Sequence, residues 1–170
     1  MVKFYALNAK GDLMVCEITD VAHPKAIKIA SHPEEFALGD KNYLVEMNGS
    51  LHFVERVITG DSNNIGYATR CFVIHEFDFS TNSWTYLDDL GDYALFLGSN
   101  TSYAIEIDEF SELKPNSVYY TDDHCELYEL KVYDMGVHDY DEQTNEDFYS
   151  GDCIWSYFSR PIFIRPCLSW

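Results

Sequence analysis

The chain is a succession of short runs in which apolar and polar residues alternate, each closed by a turn signal, and this constrains the fold more than any other feature. In 102–108, Tyr103, Ile105 and Ile107 fall on one side and Ala104, Glu106 and Asp108 on the other. That is the period of two of a half-buried strand. The same reading gives strands over 2–7, 13–18, 25–30, 43–47, 51–58, 72–79, 83–87 and 117–121, then over 126–133, 137–140, 148–149 and 161–165. Gly98-Ser99-Asn100, Pro115-Asn116 and Ser80-Thr81-Asn82 punctuate them. Asn48-Gly49 is the strongest of these signals, because both residues of such a two-residue hairpin turn take positive φ.

Little else competes. Residues 32–36 read as one helical turn, with Pro33 at its first position and Glu34 and Glu35 beside the positive helix end. The polar, Asn-rich stretch 60–70 reads as a surface loop, and 141–147 as a loop between two strands. At 170 residues the chain is long enough for a core and short enough for a single domain, 1–170. With 13 Tyr and 11 Phe against 3 Trp, its aromatics favour strands. The fold class is all-β.

Charge narrows the partners. The formal net charge is −18, and residues 71–159 carry 20 acidic side chains against two basic ones, Lys114 and Lys131. A phosphate backbone needs clustered Lys and Arg, so nucleic acid is not an expected partner. Nor is an anionic membrane surface expected, on the same ground. The expected partner is a protein with a basic surface, met by 71–159. Cys16, Cys71, Cys125, Cys153 and Cys167 are odd in number and lack a CxxC spacing, which argues against a disulfide framework or a structural zinc site. Without an N-terminal apolar segment or a membrane-length apolar run, the chain reads as intracellular.

An internal echo points to repetition. Ile74-His75-Glu76-Phe77-Asp78 followed by Thr81-Asn82 returns 63 residues later as Val137-His138-Asp139-Tyr140-Asp141 followed by Thr144-Asn145. A recurring outer hairpin with a self-bonding polar bend suggests propeller blades. By this reading His75 and His138 occupy the same place in the repeat and do a structural job.

LGDYALFLGSN, then EF, LKPNSVYYTDD, DMGVHDYD and a closing PIFIRP resemble the plant F-box-associated domain of the KIB type. FYALNAKGDLMVCEITDVAHPKA, KNYLVEMNGSLHFVERV and FVIHEFDFSTNSWTYLDDLGDYALFLG resemble its middle portion, in the right order. The resemblance implies a β-propeller, here its C-terminal half: a partial propeller of about three four-stranded antiparallel blades in an open arc. Such propellers stand behind an F-box that docks on the adaptor of a cullin ubiquitin ligase, and they select substrates. Since this chain shows no F-box helices, adaptor binding is not expected of it. An open arc leaves blade faces uncovered, with 2–7 and Trp155, Tyr157, Phe158 and Phe163 as the exposed sets, so the chain is expected to self-associate, to recruit the missing half in trans or to be unstable alone.

Chemistry has few candidates. Asp88, Asp89 and Asp92 could hold a hard cation, but LDDLGD lacks a defined ligand loop and reads as a solvated turn. Asp122-Asp123-His124-Cys125 are consecutive, and a strand would aim them at opposite faces. Cys125 or Cys153 as a nucleophile would need a base and an oxyanion hole that nothing nominates. Trp84 reads as a packing wedge between blades. No catalytic, cofactor-binding or metal-binding residue and no cofactor is therefore assigned. The expected function is a non-enzymatic protein-interaction module. The alternatives are a propeller-type metal-dependent hydrolase, which would need acids or histidines from several blades on the axis, and a truncated paralogue without a function of its own.

Overall fold

A computed structural model describes residues 3–17, 24–33, 41–61, 66–108, 112–121 and 136–147. The expected strands at 126–133, 148–149 and 161–165, residues 34–36, Asp122 to Cys125, Cys153 and the aromatics Trp155 to Phe163 lie outside them. The described elements are all strands. They are β1 (Lys3–Leu7), β2 (Leu13–Glu17), β3 (Lys25–Ala30), β4 (Lys41–Met47), β5 (Ser50–Asp61) and β6 (Gly66–Asp78). Then follow β7 (Ser83–Leu87), β8 (Tyr93–Leu97), β9 (Ser102–Glu106), β10 (Ser117–Tyr120), β11 (Gly136–Asp139) and β12 (Thr144–Asp147).

These strands make three sheets, ordered β1-β2-β3, β4-β5-β6-β7 and β12-β11-β10-β8-β9. The middle sheet is an antiparallel meander, and its first turn has the predicted geometry, with Asn48 at φ 51° and Gly49 at φ 77°. Gly49 N–H also donates to Glu46 Oε1 at 2.9 Å, which fixes the tip.

The period of two explains how the sheets stack. On one face of the middle sheet, Tyr43, Val45, Val54, Phe72 and Ile74 pack on Leu95, Leu97, Val118 and Tyr120 of the five-stranded sheet. On the opposite face, Phe77, Leu44, Leu51 and Trp84 pack on Leu13 and Ala30 of the three-stranded sheet. Covered on both sides, β5 is buried at every position from His52 to Arg56. Each fully buried apolar side chain contributes roughly 1.5–3 kcal/mol. Sheets stacked in chain order, face on face, are the blades of a partial propeller.

Four expectations change. Within the stretch 60–70, residues 60–61 and 66–70 are strand: Gly60 and Asp61 pair with Tyr67 and Gly66 in a long β5–β6 hairpin. Ala68 and Arg70 are exposed and held extended by the ladder, while Thr69 between them is buried. The stretch 141–147 is likewise half strand, since Thr144–Asp147 pairs with β11. β8 was not expected as a strand, because Ala94 to Leu97 is apolar without alternation; it is buried on both faces. Finally, the sheets hold three, four and five described strands, and β8 pairs with β10 in parallel. That pairing arises because the chain crosses back after β9 and starts β10 beside the start of β8, with Asn116 N–H bonded to Tyr93 O at 2.9 Å.

The echoed hairpins are real but out of register. Asp78 faces Ser83 and Asp139 faces Thr144 across four-residue turns, with Asn82 and Gln143 both at φ 53°. Asp78 Oδ1 accepts from Ser80 N–H, and Asp139 Oδ1 accepts from Asp141 N–H. Asp78 therefore corresponds to Asp139, and His138 to Phe77 rather than to His75. The two-residue offset preserves the side-chain face, so the echo looked aligned in the sequence.

Candidate functional site

A cleft of about 340 Å³ opens where the middle and five-stranded sheets meet. Its apolar lining comes from Met47, Leu87, Leu90 and Tyr93, and its polar lining includes His52, Glu76, Asp89 and Asp92. A smaller hollow of about 210 Å³ adjoins it beyond Asn48 and Tyr93, with Glu46 in its wall.

Each wall is fixed by a local rule. His52 and Glu76 are cross-strand partners in the β5–β6 ladder, so their side chains leave the same face. The opposite wall is the 88–92 loop, which is tied down at several points. Gly91, at φ 59°, donates its N–H to Asp89 Oδ1 at 2.7 Å. Leu90 N–H donates to Asn116 Oδ1 at 3.0 Å, and the Tyr140 hydroxyl donates to Leu87 O at 2.8 Å. Burial pushes the Tyr140 phenol far above its ordinary pKa, so it stays a donor. The loop is thus set in place without a ligand.

His52 is 2% exposed, and its Nδ1 is buried without a hydrogen-bond partner. Burial holds the ring below its ordinary pKa, against the pull of Glu76, the Ser50 backbone and Glu46. At neutral pH it is an uncharged imidazole in an acidic surround.

Of the sequence candidates, Asp89 and Asp92 line this cleft, whereas Asp88 does not. Among the described residues, no three His, Cys, Asp or Glu side chains come together as a metal cage. His138 is a structural residue: its Nδ1 bonds Asn145 Oδ1 at 2.9 Å, while Asn145 Nδ2 donates to Thr69 O and Arg70 O. Since the Asn145 amide nitrogen donates, its oxygen accepts, and His138 carries its proton on Nδ1. His75 instead stands in a different sheet, on β6 beside its cross-strand partner Tyr86, to which it lies edge-on at 5.8 Å. Trp84 wedges between sheets, edge-on to Phe53 and tilted against Phe77, with Nε1 donating to Ser31 O at 2.9 Å. Cys16 and Cys71 are free thiols, and burial raises the pKa of Cys71.

Sequence reasoning passed over His52 and Glu76. The signal was present in the register: His52, Val54 and Arg56 share one face of β5, in a stretch that is buried at every position from 52 to 56. Polar side chains on a core face call for a stated partner.

A family model described as KIB1-4 beta-propeller matches residues 1–139 of this chain. No curated protein and no solved structure matches it.

Proposed function

We propose that this chain, which belongs to the KIB1-4 beta-propeller family, works as a protein-interaction module for a partner with a basic surface. The observation that carries the proposal is the cleft, preformed, walled by Glu76, Asp89 and Asp92, and cut into the most acidic part of the chain. Opposite charge on the partner would steer the encounter and fix its register. In its finer form the proposal follows the resemblance to F-box-associated domains: joined to an F-box, such a module selects substrates for ubiquitin transfer. Self-association belongs to the same proposal, supported by Phe4 and Ile27 on the three-stranded sheet, which stay 53% and 46% exposed.

The test is affinity purification with the full chain, then association rates of the recovered partner at low and at about 0.15 M ionic strength, where the screening length is about 8 Å. The expected rate falls steeply with salt. A salt-independent rate, or a partner with an acidic contact surface, overturns the reading.

A further inference from the structure

We propose that the cleft between the β4–β5 turn and the 88–93 loop receives a single arginine side chain of a protein partner. The inference rests on the interaction reading above and names what that site takes. Among the described residues, carboxylates of Glu76, Asp89 and Asp92 line it, and neither lysine nor arginine does. A cation from outside is the missing complement.

His52 points independently to a ligand. The residue lines the same cleft and its Nδ1 is buried without a partner, and an unmet buried polar atom costs about 1–3 kcal/mol. A neutral imidazole can present that nitrogen as an acceptor to an incoming N–H.

The chemistry selects among cations. The acids do not converge as a metal cage among the described residues, so a bare ion cannot reach them together. A guanidinium suits acceptors set apart from one another, because its five N–H groups spread in a plane and bond several at once. An ammonium is a point charge with a stronger hold on water. The apolar surface of Met47, Leu87, Leu90 and Tyr93 would cover the methylene stem below the charged head. At about 340 Å³ the cleft is at the small end of ligand sites, suited to one side chain rather than to a helix.

The probe is an acetylated, amidated Ala/Gly pentapeptide with one central arginine, beside its citrulline and lysine counterparts, titrated against the full chain by NMR. The expected result is saturable shifts at 47–52 and 87–93 with arginine, weaker ones with lysine and none with citrulline. Asp89→Asn with Asp92→Asn weakens arginine binding about tenfold or more, as loss of charge-assisted bonds should. Asn at 89 can still accept from Gly91 N–H, so the loop keeps its shape. Asp88→Asn removes a charge just outside the cleft and changes binding less than about twofold, as befits a screened surface charge. Absent saturation, equal binding of citrulline or lysine, or an equal loss with Asp88→Asn overturns the assignment. A physiological partner held equally by wild type and the double variant overturns the cleft but leaves the interaction module standing. Arginine binding without any recoverable partner supports the cleft and counts against the module.

Discussion

The guanidinium of Arg56 on β5 donates from Nη1 to the main-chain carbonyl of Thr121, just past β10, at 2.9 Å. One side chain thereby joins the middle sheet to the five-stranded one. Arg56 is fully buried, its Nε donates to Thr69 Oγ1 at 2.7 Å, and its guanidinium lies 4.7 Å from the centre of the Tyr120 ring. A buried charge is tolerated only where it is hydrogen-bonded in this way.

Arg56→Met keeps the volume and removes the donors, leaving the Thr121 carbonyl and the Thr69 hydroxyl without them. A loss of about 3 kcal/mol is expected, the scale for a buried charge-assisted bond and its orphaned acceptor. Urea unfolding measures it. A shift of the midpoint equivalent to less than about 1 kcal/mol, the scale of a single neutral bond, would show that the bridge adds little.

Asn145 should behave as a second bridge. Its amide holds His138 on one side and the carbonyls of Thr69 and Arg70 on the other. Asn145→Ala is expected to speed hydrogen exchange across β11 and β12 more than in the three-stranded sheet. Asn145→Asp should be no better, since a carboxylate would face two carbonyl oxygens. Rescue by Asp would refute the donor role given to the amide nitrogen.

Acid should loosen the fold before its carboxylates titrate. Burial lowers the pKa of both His52 and His138 from 6.5. Their unfolded forms bind protons that the folded forms refuse, so the stabilisation is complete above about pH 6.5 and fades as pH falls toward the folded values. The melting temperature is expected to drop between about pH 7 and pH 5, and to drop less in His52→Gln with His138→Asn. An equal drop in the double variant assigns the effect elsewhere.

Gly136 is required by a close approach. A Cβ there would meet Glu146 O at 2.4 Å and the Tyr120 hydroxyl at 3.0 Å. Both the β11–β12 ladder and the inter-sheet core stand in its way, so Gly136→Ala is expected to cost about 1–3 kcal/mol, the range for overpacking. Thermal melts of the variant check it, and an unchanged midpoint would mean that β11 has room to shift.

The sequence by itself determined the strands whose two faces differ and the turns that need special backbone. Residues 25–30 and 83–87, and the Asn48-Gly49 turn, stand where alternation and positive φ put them, because both are local properties. Tertiary structure decided the rest. β8 carries no alternation, since both its faces are covered; β10 lies parallel to it because of a crossover that no local pattern encodes. Residues 66–70 are strand because a partner's ladder holds them. The cleft was legible only in fragments: Asp89 and Asp92 drew attention together with Asp88, which lies outside it, but His52 and Glu76 reach them through strand pairing and sheet stacking. Residues from distant parts of the chain share a site when non-local contacts close, and periodicity records only which way each side chain points.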